Sequence, residues 1–128
     1  MSTVGILGLG LIGGSIVRAM KYYYPDCRIL AFNRSRSTLD YALEEGIIDE
    51  ALPSINEAFA SCDYIFLCAP VEFNVEYMEK MKDSLGENCI LTDVGSVKSV
   101  IHEKVTELGL EGRFIGGHPM TGSEKTGI

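Results

Sequence analysis

The chain has 128 residues, 46% of them hydrophobic and 23% charged, and a formal net charge of −7. This length suffices for one domain with a packed core, and the hydrophobic share excludes a disordered chain. The acidic balance argues against partners such as nucleic acids or membrane surfaces, because binding either needs a net basic face. We expect no membrane-spanning helix, since the sequence contains no apolar stretch of about eighteen residues.

The amino terminus and the cysteines predict a cytoplasmic protein. Residues 1–4 lack the basic segment of a secretory signal and lead directly into a glycine-rich turn. No two of the four cysteines form a C-x-x-C pair, and three lie in or beside apolar runs. We interpret them as small buried hydrophobes in a reducing compartment and predict no metal site, with metal binding as the alternative.

Short apolar runs alternate with amphipathic stretches along the chain. Apolar runs predict strands at 3–7, 28–32, 64–69, 89–91 and 114–117. Helical periodicity predicts helices at 11–24, 37–45, 71–85 and 99–108, the first of them ending before Pro25. Ser54 and Glu57 have the spacing of a capping box, which predicts a further short helix ending near Ser61.

This alternation predicts an α/β fold of the Rossmann type, a mainly parallel sheet with helices on both faces. Residues 1–128 form one dinucleotide-binding domain in this interpretation. The chain ends at Ile128 in loop-like sequence without a closing helix. We therefore expect it to be part of a longer protein.

A glycine motif directly follows the first predicted strand and opens the first predicted helix. It matches G-x-G-x-x-G, and its residues are Gly8, Leu9, Gly10, Leu11, Ile12 and Gly13. In this context the pattern predicts a dinucleotide site. The first glycine permits a tight turn, the second lets a pyrophosphate approach the backbone, and the third lets helix and strand pack closely. The helix amino terminus offers free amides to the phosphates.

The second predicted strand ends in Asn33, Arg34, Ser35 and Arg36, where an acidic residue would favour NAD by repelling a 2′-phosphate. Asn33 can still bond the adenosine ribose, and either arginine can pair with a phosphate. The sequence therefore leaves NAD and NADP open. Ala69 and Pro70 end another strand, and we expect that loop to face the cofactor.

Two polar clusters follow the last two predicted strands, at 92–98 and 116–125. His118 lies between Gly-Gly and Pro, where a neutral histidine can take the proton of a substrate hydroxyl. Ser96 can hold that histidine or the substrate. His102 lies inside an amphipathic stretch, and we interpret it as a surface or packing residue.

Three motifs, in this order along the chain, resemble prephenate and arogenate dehydrogenases. They are G-x-G-L-I-G-G-S at 8–15, T-D-V-G-S-V-K at 92–98 and G-G-H-P-M-x-G-S-E-K at 116–125. Many dehydrogenases share the first motif, whereas the last two together are specific. The resemblance implies oxidative decarboxylation of prephenate or arogenate with NAD(P)+, in tyrosine biosynthesis. It implies His118 as the catalytic hydrogen-bond acceptor, assisted by Ser96. Both residues and Thr121 are expected to contact the substrate.

The family also has a second, helical domain, which forms a homodimer and supplies a basic residue for the substrate carboxylates. That domain is not in this sequence, so we expect the 128-residue chain alone to be inactive as an enzyme. Asn33 occupies the position at which NAD-preferring members of the family would carry an acidic residue. Two alternatives remain: a reductase or dehydrogenase of the hydroxyisobutyrate or pyrroline-carboxylate type, and a non-catalytic nucleotide-sensing module.

Overall fold

The structure, a computed structural model, describes residues 2–94 and 98–116. Its strands are β1 (Thr3–Leu7), β2 (Arg28–Phe32), β3 (Glu50–Ala51), β4 (Tyr64–Leu67), β5 (Ile90–Asp93) and β6 (Phe114–Gly116). Its α-helices are α1 (Leu11–Tyr23), α2 (Arg36–Glu44), α3 (Val71–Met81) and α4 (Lys98–Glu107). Short 3-10 turns occupy Glu57–Ser61 and Glu111–Arg113.

The six strands form one sheet in the order β3-β2-β1-β4-β5-β6. Every strand pairing in the described part of the chain is parallel, and Val4 of β1 lies opposite Ile29 on one side and Tyr64 on the other. The strand order reverses direction between β1 and β4. In doubly wound sheets, ligands bind outside the carboxyl ends of the strands at this reversal.

Helices cover both faces of the sheet, because alternate side chains of each strand point to opposite sides. On one face, Ile6 and Ile29 pack with Val17 of α1 and Leu39 of α2. On the other face, strand residues pack with side chains of α3 and α4, namely Leu7, Ile65, Leu67, Met78, Met81, Ile101 and Val105. The predicted Rossmann-type fold is thereby confirmed.

The observed boundaries differ from the predicted ones by a few residues at several ends. The predicted strand at 64–69 ends at Leu67, although the N–H of Cys68 still donates to the carbonyl of Leu7 at 2.8 Å. The predicted helix at 71–85 ends at Met81. The strand β3 was not predicted, since it has two residues and no apolar run. Gly117 lies outside the described residues.

The capping-box prediction was wrong in its residues. Asn56 precedes the turn, and its side-chain oxygen accepts the N–H of Ala58 at 2.8 Å. Ser54 instead accepts a hydrogen bond from the Asn56 amide at 3.3 Å. The Asn56 side chain reaches the backbone amide two residues on and so caps the turn in place of Ser54. The cap is therefore nearer the turn than the spacing of Ser54 and Glu57 predicted.

All four cysteines are free thiols, and Cys27, Cys62 and Cys89 are buried while Cys68 is partly buried. None of the helices within residues 2–94 and 98–116 combines the length and apolar character needed to cross a bilayer. In the same residues no cluster of three His, Cys, Asp or Glu side chains is arranged to hold a metal ion.

Candidate functional site

Three loops meet where the strand order reverses. The glycine turn follows β1, Asn33 follows β2, and Cys68 follows β4. Hydrogen bonds join the first two: the N–H of Gly8 donates to the carbonyl of Phe32 at 2.9 Å, and the N–H of Leu9 donates to the Asn33 side chain. The glycine turn, Asn33 and the loop after β4 thus lie together at the carboxyl end of the sheet.

The geometry of the glycine turn explains each of its three glycines. Gly8 has a φ of +107°, and a Cβ there would lie 2.8 Å from the backbone nitrogen of Ala69. A Cβ on Gly13 would lie 2.0 Å from the carbonyl oxygen of Gly8. A Cβ on Gly10 would meet no atom within 4 Å. The first and third glycines are therefore required by the fold, whereas the second leaves open space beside the backbone.

The amino terminus of α1 faces this open space. Gly10 is its N-cap and supplies no side-chain hydrogen bond, and the first turn contains no acidic residue. The first amides of the helix therefore lack side-chain acceptors at this end, and the helix dipole adds a partial positive charge. Such a terminus is suited to an anion, above all to phosphate.

Asn33 connects β2 to the glycine turn. Its Oδ1 accepts the N–H of Leu9 at 2.9 Å, and its Nδ2 donates to the carbonyl of Ser35 at 3.3 Å. The side chain thus has a structural task in addition to the ribose contact that the sequence predicts. An amide nitrogen carries two hydrogens, so Asn33 retains donor capacity for a ligand oxygen.

Arg34, the next residue in the loop after β2, lies over the aromatic ring of Phe73. Its guanidinium carbon is 4.2 Å from the centre of the Phe73 ring, a cation–π geometry. Phe73 in turn stacks on Tyr77, with ring centres 6.4 Å apart. Burial raises the pKa of Tyr77, and the neighbouring Arg34 opposes that rise. Arg36 differs, since it pairs with Asp40 one turn along α2 at 3.1 Å.

The loop after β4 is held by Asn74, a fully buried side chain of α3. Its Oδ1 accepts the N–H of Ala69 at 3.1 Å, and its Nδ2 donates to the carbonyl of Ala69 at 2.8 Å. Burial raises the pKa of the adjacent Cys68 thiol to about 12, so this thiol stays protonated and unreactive near neutral pH.

Between the three loops lies a cleft of about 340 Å³, which we call the central cleft. It is lined by Gly8, Gly10, Asn33, Arg34, Ser35, Cys68, Ala69, Pro70, Phe73 and Tyr77. Of the predicted cofactor residues, Leu9 and Leu11 instead line a groove between α1 and α2, Ile12 is exposed, and Gly13 is buried. The volume falls within the range of small-molecule sites, roughly 300–1,000 Å³.

Sequence reasoning missed three residues that line this cleft, and it also missed Asn74, which holds the loop after β4 without lining the cleft. Cys68, Phe73, Asn74 and Tyr77 follow β4 or belong to α3, and their pattern is that of an ordinary amphipathic helix. The one signal was Asn74, a polar residue at a core-facing helical position.

Ser96, His118 and Thr121, the predicted catalytic and substrate-binding residues, lie outside the described residues. The strands that precede them end side by side, since Asp93 of β5 is paired with Gly116 of β6. His102 is exposed and its ring meets Phe114 edge-on at 6.0 Å, which confirms it as a surface residue.

Comparison with known proteins agrees with this arrangement. The sequence model of the family "Prephenate dehydrogenase, nucleotide-binding domain" matches residues 16–128. Prephenate dehydrogenase of Lactococcus lactis subsp. cremoris is 37% identical over 131 aligned residues, covering all of this chain and 36% of that protein.

Two solved structures are similar over most of the chain. One is prephenate dehydrogenase from A. aeolicus in complex with hydroxyphenyl propionate and NAD+, with a TM-score of 0.85, 33% identity, and coverage of 96% of this chain and 43% of that one. The other is Synechocystis arogenate dehydrogenase, with a TM-score of 0.81, 34% identity, and coverage of 91% and 40%. The chain thus spans less than half the length of these relatives. The match of the family model to residues 16–128 shows that the chain belongs to the nucleotide-binding domain family of the prephenate dehydrogenases.

Proposed function

We propose that this chain is the dinucleotide-binding part of an enzyme that oxidatively decarboxylates prephenate or arogenate with NAD+ or NADP+. The observation that carries the proposal is the glycine turn. Gly8 and Gly13 are required because no larger residue has room, and of the three motif glycines only Gly10 leaves space that no protein atom fills. That combination suits a turn that brings its backbone against a phosphate ligand.

The central cleft suits the adenosine side of a dinucleotide. The amino terminus of α1 would hold the pyrophosphate, and Asn33 and Ser35 would reach the ribose. The site favours neither cofactor by charge repulsion, because Asn33 is uncharged, while Arg34 supplies a cation for a 2′-phosphate. When bound, the nicotinamide supplies the hydride acceptor for the reaction.

The chemistry at the substrate is assigned to residues that follow β5 and β6. His118, in its neutral form, accepts the proton of the ring hydroxyl, and Ser96 assists it. Thr121 contributes to the substrate site. Support comes from the family motifs around these residues and from the A. aeolicus relative, which was solved with hydroxyphenyl propionate and NAD+.

The remaining parts of the proposal concern the whole protein. Residues 1–128 form the dinucleotide-binding domain, and a helical domain absent from this sequence makes a homodimer and supplies a cation for the substrate carboxylates. The relatives are more than twice as long as the matched segment, which supports such a domain. We place the protein in the cytoplasm, where the buried free thiols of Cys27, Cys62 and Cys89 would stay reduced.

The test is a steady-state assay on a chain extended to the length of its relatives, with prephenate and arogenate and with each cofactor. We expect turnover with at least one pair, and none from the 128-residue chain at saturating cofactor. His118→Asn should lower turnover by about 10²–10⁴-fold and leave cofactor affinity unchanged, the range for loss of a general base. His102→Asn, an exposed control, should remain active. No turnover with either substrate would contradict the proposal and favour a nucleotide-sensing module.

A further inference from the structure

Asn74 is a polar side chain in an otherwise apolar layer. It is fully buried on α3, beside Tyr77 and Met78, which are also buried. A leucine at this position would extend the hydrophobic core, whereas a buried amide is tolerated only when its polar atoms are bonded. The bonds of Asn74 therefore show what it does.

Those bonds go to one short stretch of backbone. The Oδ1 of Asn74 accepts the N–H of Ala69 at 3.1 Å, and the Nδ2 donates to the carbonyl oxygens of Ala69 at 2.8 Å and Leu67 at 3.4 Å. Ala69 follows the end of β4, so the carboxamide replaces the sheet partner that its backbone has lost. The orientation of the Ala69 peptide is thereby fixed from α3.

The Ala69 peptide is also the surface against which the glycine turn closes. The missing Cβ of Gly8 would lie 2.8 Å from the nitrogen of Ala69 and 2.8 Å from the carbonyl carbon of Cys68. A small displacement of Ala69 would therefore change the distance between the turn and the loop after β4. Residues of both line the central cleft.

We propose that Asn74 is a positioning residue for dinucleotide binding, holding the Ala69–Pro70 wall of the central cleft at the separation the ligand requires. This inference rests on the proposed function. Asn74 itself does not line the cleft, so it acts through the Ala69 backbone. Without this carboxamide, the N–H and C=O of Ala69 lose their hydrogen-bond partner and bind water instead. The Ala69–Pro70 wall of the cleft is then displaced.

The test is calorimetric titration of the 128-residue chain with NAD+ and NADP+, at a temperature where circular dichroism shows each variant folded. Asn74→Ala should lower the affinity for whichever dinucleotide the wild type binds more tightly by about tenfold or more, the scale of a lost buried hydrogen bond. The matched control is Met78→Ala, which removes another fully buried side chain of the same helix and makes no bond to the loop. It should lower the melting temperature and leave affinity within about twofold, since only a core contact is lost.

A second measurement needs no variant. In the wild-type chain, the side-chain amide resonances of Asn74 and the backbone amide of Ala69 should shift with saturation by the dinucleotide. Equal affinity losses in Asn74→Ala and Met78→Ala, or Asn74 and Ala69 resonances that stay fixed while the glycine-turn amides shift, would overturn the positioning role. A wild-type chain that binds neither dinucleotide would overturn the proposed function itself, and the inference with it.

Discussion

The Oδ1 of Asn33 accepts a hydrogen bond from the backbone N–H of Leu9 at 2.9 Å, across 24 residues of sequence. This bond ties the end of β2 to the glycine turn that follows β1. Asn33 is expected to bind the ribose, and it also supports the turn that would hold the pyrophosphate. Loss of its side chain should therefore affect the binding of both groups.

Asn33→Asp separates these two tasks. An aspartate keeps the acceptor for Leu9, so the turn and the melting temperature should be preserved. Its charge should repel a 2′-phosphate and lower NADP+ affinity by roughly tenfold or more, with NAD+ affinity equal or better. Asn33→Ala removes the acceptor and should weaken both cofactors. Calorimetry with NAD+ and NADP+ measures this, and an Asp variant with unchanged NADP+ affinity would contradict it.

Arg34 and Arg36 form a matched pair of cations, the first in the loop after β2 and the second at the start of α2. Arg34 lies over Phe73 at the central cleft, whereas Arg36 pairs with Asp40 on α2. Arg34→Ala should cost about 1–3 kcal/mol of NADP+ binding free energy, the value of one charge-assisted contact, and little for NAD+. Arg36→Ala should change neither by more than about 0.5 kcal/mol, since its ion pair is exposed. Equal losses from the two substitutions would show that Arg34 has no specific contact with the 2′-phosphate.

Substitution of three nearby glycines should separate folding from binding. Gly13→Ala places a methyl group 2.0 Å from a carbonyl oxygen and should destabilise the fold by about 1–3 kcal/mol or more, as overpacking does. Gly10→Ala meets no atom, so stability should change by less than about 1 kcal/mol while dinucleotide affinity falls. Gly14→Ala, also in open space, is the control and should gain up to about 1 kcal/mol of stability from helix propensity. Urea unfolding and calorimetry measure the two effects, and a Gly10→Ala chain with native affinity would show that the open space is not used.

Two thiols, one buried and one partly buried, should make the fold sensitive to alkali. Burial raises the pKa of both Cys62 and Cys68 from 9.0 to about 12. Between these values the folded chain keeps both protons while the unfolded chain loses them, so the free energy of unfolding should fall as the pH rises above 9. Below pH 9 the contribution is fully present.

The measurement is urea unfolding from pH 8 to 10.5 for the wild type and for the Cys62→Ala, Cys68→Ala double variant. The variant should be less stable at pH 8 because of the cavities, yet its stability should fall less steeply with pH. Tyrosines and lysines titrate equally in both chains. Parallel curves would mean that the thiols ionise in the folded state as readily as in the unfolded one.

The order of the main strands and helices in this fold follows from the sequence, whereas individual contacts between them do not. Apolar runs such as the one at 64–69 alternate with helical patterns, which predicts the parallel sheet. The glycines at 8, 10 and 13 predict the turn, because they lie between a strand and a helix. Glu50–Ala51 carries no such pattern and forms β3 only because β2 offers a free edge. The partner of Asn33 is also invisible in sequence, since a backbone amide 24 residues away is set by the sheet order.

The hydrogen bonds between Asn74 and the Ala69 backbone show the same limit at the candidate site. An asparagine in a helical run of apolar residues signals that something polar lies nearby, yet only the packing of α3 against the loop after β4 identifies Ala69. Phe73 and Tyr77 have the spacing of ordinary core residues, yet both line the central cleft, with Arg34 over the Phe73 ring.

The central claim is that this chain binds a nicotinamide dinucleotide at the glycine turn. Calorimetric titration of the 128-residue chain with NAD+, NADH, NADP+ and NADPH, repeated on Gly10→Ala with Gly14→Ala as control, tests it most directly. The account predicts saturable binding of at least one form to the wild type and to Gly14→Ala, and a marked loss in Gly10→Ala. Binding of none of the four forms by a folded wild-type chain, or equal binding by all three chains, would contradict it.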